Sequence, residues 1–231
     1  MASEAMTSSR VRRWALISGA AAVAVFVLAL LGYRQHWIVP YTVDAFASDV
    51  SHDLGIEYPA WVWFWDGVST VFAPPVFRVL AMVAAIVAVI RRRLRTALFL
   101  LVTVEATGLL TQVAKDAVDR RRPTTALVEA TSSSFPSGHA LGAMVGVGAL
   151  LVVALPLLRR RARLAAVCAG VLVVAGVGAS RVSLSVHYPS DVLAGWALGW
   201  AYVCGWAVLL QPWADRVDPV GPTPQDDLDD Q

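Results

Sequence analysis

Six long apolar segments dominate this sequence, and they restrict it to folds that a lipid bilayer allows. Of its 231 residues, 57% are hydrophobic, and a helix needs roughly 20 apolar residues to cross the hydrocarbon core. Because backbone polar groups inside a bilayer must bond to one another, helices are favoured. The predicted crossings are 14–33, 68–90, 96–114, 139–158, 164–181 and 191–211. The sequence therefore predicts an all-α, polytopic membrane protein with a six-helix transmembrane bundle over residues 14–213.

The two ends of the chain differ from the apolar region. Residues 1–13 carry Arg10, Arg12 and Arg13, and they are predicted to be a short cytoplasmic segment. The apolar run that follows is longer than the core of a signal peptide, which favours an uncleaved first crossing. Residues 214–231 are rich in aspartate and proline, and this composition predicts a disordered, acidic cytoplasmic tail.

The region before the third crossing is harder to interpret. The apolar stretch 59–90 is too long for one upright helix, and Pro74 and Pro75 interrupt it. Its first part is rich in tryptophan, which favours a place in the membrane interface. The connection before it is either a short amphipathic helix on the membrane surface or a plain loop. Apolar residues recur there at helical spacing, namely Val43, Phe46, Val50 and Leu54.

Arginine clusters in the short connections set the predicted orientation. They precede the first crossing, join the second to the third, and join the fourth to the fifth. Alternating crossings place these clusters on one side, which the positive-inside rule makes cytoplasmic. The loops 34–58, 115–138 and 182–190 then face outward. This pattern predicts a multi-pass protein of the plasma membrane with both termini in the cytoplasm.

One basic cluster contradicts that rule. The stretch KDAVDRRRP, from Lys115 to Pro123, lies in an outward loop and contains the only lysine of the chain. Topology does not explain positive charge at this place, whereas an anionic ligand does. The same loop ends in SFPSGHA, where Ser137 and Gly138 suit a helix start whose N–H groups attract anions. His139 follows in the first turn and is predicted to face the anion.

The third outward loop, SRVSLSVHYPSD, combines a histidine with a carboxylate. His187 lies four residues before Asp191, close enough for the carboxylate to orient the imidazole, and Arg181 precedes them. Cations and backbone N–H groups suit phosphate oxygens, while one histidine can attack phosphorus and the other can protonate the leaving group. The outward ends of the helices are therefore predicted to form an active site for phosphoryl transfer.

Three motifs in these loops are those of a known family. The motif K-x6-R-P matches Lys115, Arg122 and Pro123; P-S-G-H matches Pro136 to His139; and S-R-x5-H-x3-D matches Ser180, Arg181, His187 and Asp191. In these motifs the chain resembles the type 2 phosphatidic acid phosphatase (PAP2) superfamily of membrane phosphatases. The resemblance covers the chain from roughly the second crossing to the sixth. The first sixty residues and the acidic tail carry little of this resemblance.

The resemblance implies a role for each motif residue. His187 would be the nucleophile that forms a phosphohistidine, Asp191 would orient it, and His139 would be the general acid. The residues expected to bind phosphate are Lys115, Arg122, Ser137, Gly138 and Arg181. The family uses no metal or other cofactor. Arg120 and Arg121 fall at variable positions to which the motif assigns no role, and a second phosphate and an anionic headgroup are their candidate ligands.

These expectations combine into a membrane-embedded lipid phosphate or diphosphate phosphatase, with no nucleic-acid partner. Undecaprenyl diphosphate, phosphatidylglycerol phosphate and phosphatidic acid remain open as substrates. The short connection from 124 to 134 leaves little room for a lid, which favours a lipid that enters from the bilayer. A lipid phosphotransferase would use the same residues. A non-catalytic protein that binds anionic lipid is the alternative from a different class, and the sequence does not fix the oligomeric state.

Two further predictions concern the membrane interior. Glu105 lies near the middle of the third crossing, where an ionisable group usually has a partner, and Arg78 lies at a similar depth in the second. An interhelical contact between them is predicted. Cys168 and Cys204 both lie in apolar runs. They are predicted to be small buried hydrophobic side chains rather than a disulfide or metal ligands.

Overall fold

Helices account for all regular secondary structure in residues 2–214, the part of the chain that the computed structural model describes. Their bounds are α1 Ala2–Arg34, α2 Ile38–Glu57, α3 Pro59–Val71, α4 Pro74–Ile90, α5 Leu94–Glu105, α6 Thr107–Val118, α7 Gly138–Ala154, α8 Arg160–Ser183 and α9 Pro189–Leu210. A 3-10 turn, Leu155–Leu157, follows α7. The all-α prediction is confirmed. The predicted acidic tail lies outside the described residues apart from Ala214.

Six helical segments of the described chain are long and apolar enough to cross a membrane. They are Ser9–Arg34, Pro59–Ile90, Leu94–Val118, Gly138–Leu157, Arg160–Ser183 and Pro189–Leu210. These segments support the predicted multi-pass bundle. The second is longer than the predicted 68–90, because it begins at Pro59.

The second crossing is broken where the prolines predict a break. α3 ends at Val71 and α4 begins at Pro74, which suits a first helical position because proline has no N–H to leave unpaired. Trp61 Nε1 donates to the Ser183 carbonyl at 3.0 Å, and Val68 lies against Gly176 further back along α8. The tryptophan-rich α3 therefore runs antiparallel beside α8, with Trp61 at the final residue of that helix. Its position in the membrane interface stays a prediction.

The third crossing has a second break, which the sequence does not predict. α5 ends at Glu105 and α6 begins at Thr107. Glu105 is exposed at this break, and no ion pair of the described residues joins it to Arg78. The Arg78 guanidinium lies against Gly108 instead, where a Cβ would come within 2.7 Å of Nη2. The prediction fails because the carboxylate, at the end of α5, turns out of the bundle.

α2 confirms the helical alternative for the segment between the first two crossings, and its faces are arranged in an unexpected way. Val43, Phe46 and Val50 are 50%, 70% and 40% exposed, as expected for a helix on a membrane surface. The face that packs on the protein is formed by small and polar residues, namely Asp44, Ser48, Ser51 and Gly55. Ser48 Oγ lies 2.8 Å from Thr125 Oγ1 in the loop after α6. The buried face of α2 thus contacts the outward loops through polar groups.

Glycines allow α7 to approach its neighbours closely. A Cβ at Gly195 of α9 would lie 2.7 Å from the Ser137 carbonyl oxygen, and one at Gly199 would lie 3.0 Å from that of Leu141. On the opposite side of α7, Gly146 lies against Phe77 of α4. Small residues at such spacing let membrane helices pack with their backbones near contact. The starts of α7 and α9 are brought together in this way.

The first crossing packs along the last. α1 lies against α9, where the buried Cys204 has its Sγ 3.6 Å from Ser18 Oγ. Cys168 is exposed on α8, and both cysteines are free thiols. The prediction of a buried, unbridged side chain therefore holds for Cys204. For Cys168 only the absence of a bridge agrees, because its side chain faces outward from the bundle.

Candidate active site

The three motif stretches meet at one end of the bundle. The Ser134 N–H donates to the Arg120 carbonyl at 2.8 Å, and the Ser137 N–H donates to the Asp191 carbonyl at 3.0 Å. The first bond joins the second motif to the loop after α6. The second joins it to the start of α9. Residues separated by up to 76 positions in sequence therefore form one cluster, as the sequence predicts.

Arg122 fixes the protonation of the candidate nucleophile. Its Nη1 lies 3.1 Å from His187 Nε2 and donates to the Val186 carbonyl at 2.7 Å. A guanidinium has donors only, so Nε2 must accept this bond and cannot carry a proton. In a neutral imidazole the proton then resides on Nδ1, and the lone pair of Nε2 points at the cation that would hold a phosphate oxygen.

Asp191 lies behind the imidazole. Its Oδ2 is 3.5 Å from His187 Nδ1, longer than an ordinary hydrogen bond of about 2.9 Å, and it accepts the Tyr188 N–H at 3.0 Å. Burial lowers the pKa of His187 to about 4, even though the Asp191 carboxylate acts to raise it. His187 is therefore neutral near pH 7, as a nitrogen nucleophile must be.

Arg120 holds the other oxygen of this carboxylate. Its Nη1 donates to Asp191 Oδ1 at 2.7 Å, and its Nη2 donates to Asp44 Oδ2 of α2 at 2.8 Å. Asp44 also accepts the Ser190 N–H in the first turn of α9 through Oδ1, at 3.0 Å. A chain of contacts thus extends from α2 through Arg120 and Asp191 to the imidazole. Both ends of the Arg120 guanidinium thus contact carboxylates of the protein, at a position to which the motif assigns no role.

Two aromatic rings enclose the Arg120 guanidinium. Its central carbon lies 4.7 Å from the centre of the Tyr33 ring and 4.1 Å from that of Tyr188, distances typical of cation–π contacts. Burial alone would lower the pKa of Arg120, but the carboxylates of Asp191 and Asp44 outweigh it and the pKa is raised. Arg121, next in sequence, is exposed, and it lines a cavity of about 480 Å³ together with Arg120 and the two tyrosines.

Three other cations of the cluster lack a carboxylate partner among the ion pairs of the described residues. Lys115 Nζ donates to Ser132 Oγ at 3.2 Å and to the Ser133 carbonyl. Arg181 Nη1 donates to Ser69 Oγ at 2.6 Å. Both side chains are only 7% exposed. Arg122 is the third, and burial lowers its pKa against the opposing effect of Asp191. Buried cations without counter-ions are suited to an anionic ligand.

The start of α7 contributes the remaining predicted residues. Ser137 is fully buried and caps the helix, since its Oγ accepts the Ala140 N–H at 3.5 Å. Its own N–H already bonds to Asp191, so the structure gives Ser137 a structural role beside its predicted contact with phosphate. Gly138 and His139 are partly exposed and line a cavity of about 300 Å³ together with Lys115.

Comparison with known proteins agrees with the motifs. Residues 96–215, just over half of the chain, match the family model described as the PAP2 superfamily. The chain belongs to the PAP2 superfamily. A crystal structure of a transmembrane PAP2-type phosphatidylglycerolphosphate phosphatase from Bacillus subtilis matches with a TM-score of 0.66 and 27% identity, over 85% of this chain and 97% of that chain.

Two curated proteins are similar to this PAP2 member over shorter stretches. Phosphatidylglycerophosphatase B of Bacillus subtilis is 43% identical over 95 residues, which are 39% of this chain and 46% of the relative. Lipid A 1-phosphatase of Rhizobium etli is 37% identical over 123 residues, 48% of this chain and 47% of the relative. The chain thus matches about half the length of these relatives.

Sequence reasoning missed the contacts that Asp44 of this PAP2 protein makes with Arg120 and the start of α9. The signal was the set of polar and small residues on one helical face, at positions 44, 48, 51 and 55. The apolar residues between them identify the helix but do not show what its polar face contacts. Arg120 was missed in a different way, because sequence shows its charge but not the direction of its side chain.

Proposed function

We propose that this protein is a lipid phosphate phosphatase that forms a phosphohistidine on His187. The observation that carries the proposal is the contact between Arg122 Nη1 and His187 Nε2 at 3.1 Å. It directs the lone pair of a neutral imidazole to the place where a guanidinium would hold the phosphoryl group. The names of the relatives favour phosphatidylglycerol phosphate as the substrate, with phosphatidic acid and undecaprenyl diphosphate as the alternatives.

In the first step, Nε2 of His187 attacks phosphorus and the bond from phosphorus to the leaving oxygen breaks. His139 begins the step as an imidazolium, which the negative charge of the bound phosphate stabilises, and it donates its proton to that oxygen. The lipid therefore leaves as a neutral alcohol, or as a monophosphate if the substrate is a diphosphate. Asp191 stabilises the imidazolium that forms, because its carboxylate lies beside Nδ1. Lys115, Arg122 and Arg181 balance the charge on the non-bridging oxygens, together with the Gly138 N–H.

In the second step, water attacks the phosphohistidine. His139, now neutral, accepts a proton from the water, and the bond between phosphorus and Nε2 breaks. Inorganic phosphate leaves, and both histidines return to their starting states. No metal takes part in either step. The residues around the site are mainly cationic, which suits direct binding of phosphate better than binding of a metal ion.

The site would face the extracytoplasmic side of the plasma membrane, with both termini in the cytoplasm. The arginines of the connections between α4 and α5 and between α7 and α8 support this orientation. The basic residues from Lys115 to Arg122 lie at the opposite end of the crossings. The site thus violates the positive-inside rule for a functional reason, namely the charge of its substrate.

Phosphate release in proteoliposomes with a chelator present tests the proposal. The substrates are phosphatidylglycerol phosphate, phosphatidic acid and undecaprenyl diphosphate, with wild type beside His187→Ala. We expect metal-independent release by wild type and none by the variant, and a phosphorylated wild-type protein after acid-free quenching. Release that persists in His187→Ala would contradict the phosphohistidine. Binding of the lipids without release would favour the non-catalytic alternative.

A further inference from the structure

Arg78 is a positively charged residue inside a membrane-spanning segment without an identified role. It is the fifth residue of α4 and is only partly buried. No hydrogen bond or ion pair of its side chain is found among the described residues. An arginine at such depth is costly, and it usually marks a ligand site or an ion pair. Because Arg78 does not pair with Glu105, a ligand site is the remaining explanation for a charge at this depth.

The cavity beside Arg78 leads to the active site. Arg78, Lys115 and His139 line the same cavity of about 300 Å³. Lys115 and His139 lie at one end, and Arg78 lies at the other beside Gly108. From Gly108 to Lys115 is seven residues along α6, or about 10 Å at the helical rise. The cavity therefore extends from the phosphate-binding groups toward the middle of the membrane.

The local geometry directs the guanidinium into this cavity. Pro74, at the start of α4, lies against Gly142, one turn below His139. Helical side chains tilt toward the N-terminus of their helix, so Arg78 tilts toward the active site. Gly108 leaves room for the guanidinium, because a Cβ there would come within 2.7 Å of Nη2.

Arg78 is also the strongest hydrogen-bond donor in the deep part of the cavity. The two threonines there use their hydroxyls within α6: Thr107 Oγ1 donates to the Thr103 carbonyl, and Thr111 Oγ1 donates to the Thr107 carbonyl, both at 2.8 Å. A ligand that fills the deep part therefore meets one cation that is free to donate. To accept a hydrogen bond from Arg78, the ligand needs an uncharged or anionic oxygen atom a few bonds away from its phosphate, on the side that faces the membrane interior.

We propose that Arg78 binds the ester carbonyl oxygens of a diacylglycerol phosphate and selects this class over polyprenyl phosphates. In a diacylglycerol phosphate the two carbonyl groups follow the phosphate by a few bonds along the glycerol. In a polyprenyl diphosphate that position is hydrocarbon, which would leave the guanidinium without a partner at a cost in binding. The inference rests on the proposed function, whose substrate class it names.

A pair of matched substrates tests the inference. One is a diacyl phosphatidic acid, the other is the dialkyl ether of equal chain length, which lacks only the carbonyl oxygens. A polyprenyl diphosphate is the third substrate, and all are presented in mixed detergent micelles. We expect kcat/KM of wild type to be about tenfold higher for the ester than for the ether, as expected for hydrogen bonds to a charged group. In Arg78→Gln the two values should converge through loss of the ester activity alone.

Two further variants complete the design. Gly108→Ala places a methyl group where the guanidinium lies, and it should lower the ratio of ester to ether activity while Arg78 is intact. Arg91→Gln, at the exposed residue just after α4, should leave the ratio unchanged. If Arg78→Gln fails to fold and loses every activity, Gly108→Ala decides.

The outcomes separate the inference from the proposed function. Phosphate release with an ester-to-ether ratio near one in wild type, or a ratio that Arg78→Gln leaves unchanged, contradicts the inference alone. A loss confined to the diphosphate also overturns it, because Arg78 would then bind a second phosphate. If wild type releases phosphate from none of the three substrates, the proposed function fails and the inference fails with it.

Discussion

Each oxygen of the Asp191 carboxylate has its own charged or ionisable neighbour. Oδ2 lies beside His187 and Oδ1 accepts from Arg120. Arg120 is itself held by Asp44, so the acid is fixed in position from behind. If Arg120 were removed, the Asp191 carboxylate would stay ionised but would no longer be held in one orientation. The catalytic effect of Arg120 would therefore be indirect, acting through the imidazole.

Arg120→Gln should lower kcat by about tenfold or more, since it removes hydrogen bonds to a charged group. KM should change little, because the Arg120 guanidinium is bound by the carboxylates of Asp191 and Asp44. Steady-state kinetics on short-chain phosphatidic acid in detergent would measure both constants. Arg121→Gln is the matched control, since Arg121 is the exposed neighbour with no contact to Asp191, and it should behave like wild type. An increase in KM with kcat intact would indicate direct substrate binding by Arg120.

Lys115→Arg should impair turnover despite the conserved charge. Lys115 is buried against Ser132 and Ser133, a space that a compact ammonium fits and a longer, forked guanidinium does not. We expect kcat/KM to fall by about tenfold, as for a modest misplacement of a catalytic group. Lys115→Met should be worse still. Near-normal activity of Lys115→Arg would contradict this account.

The motif residues could be found from sequence because their chemistry and spacing are local. His187 and Asp191 are four residues apart at the start of α9, and Ser137 to His139 begin α7. The residues that support them could not be found in this way. Asp44 belongs to a helix without a motif, and its contact with Arg120 joins positions 76 apart in sequence. Such a contact depends on the packing of whole helices.

Close packing of α7 against α9 sets the distance between the two histidines. His139 is in the first turn of α7, and His187 immediately precedes α9. Gly195 lies against the Ser137 carbonyl oxygen, with no room for a Cβ. A side chain there must push the starts of the two helices apart, since the atom that it meets belongs to the backbone.

Gly195→Ala should therefore reduce activity by roughly 100-fold, the cost of displacing catalytic groups by about 1 Å, while the protein still folds. Gly205→Ala is the control on the same helix, because a Cβ at Gly205 meets nothing within 4 Å. Phosphate release and thermal unfolding in detergent would be measured for both. Equal activity of the two variants would show that the α7–α9 approach does not control catalysis.

At the scale of elements, the sequence predicts crossings better than it predicts their breaks. Pro74 predicts the break between α3 and α4, because proline has no N–H with which to continue the helical hydrogen-bond pattern. The break at Ala106 has no proline or glycine at the junction. α2 shows a third case, in which periodicity reveals a helix but not which of its faces packs on the protein.

Folding buries His187 in its neutral form, and the folded protein should therefore lose stability in acid. The pKa of His187 is lowered to about 4 from its ordinary value of 6.5. Its contribution to stability is fully present above pH 6.5 and is lost as the pH falls toward 4, because the unfolded chain binds the proton more readily. The loss approaches about 3 kcal/mol for a shift of this size.

Wild type should therefore lose more stability between pH 7 and pH 4.5 than His187→Gln does. Thermal unfolding in detergent at the two pH values would measure the difference. The two proteins differ in one titrating group only, so the effect of pH on all other groups cancels in the comparison. Equal changes in unfolding temperature for the two proteins would contradict a lowered pKa at His187.

The number of crossings and their approximate bounds follow from the lengths of the apolar segments, because the thickness of the bilayer sets the length of every span. The arrangement of the crossings in three dimensions does not follow from length. The glycine contacts that bring α7 to α9 and α4 depend on the shapes of particular neighbours, and so does the position of Arg78 beside Gly108. Sequence therefore predicts the parts of this membrane protein and the chemistry of its loops, whereas the supporting contacts require the structure.

The position of Asp44 shows that the contacts supporting the site begin well before the residues that match the family. The family match starts at residue 96, yet the carboxylate that anchors Arg120 and the first turn of α9 comes from α2. A fragment limited to the matched residues would retain every motif and lose that anchor. The smallest autonomous piece with a correctly held acid and histidine must therefore include α2, a helix that is invisible to the family signature.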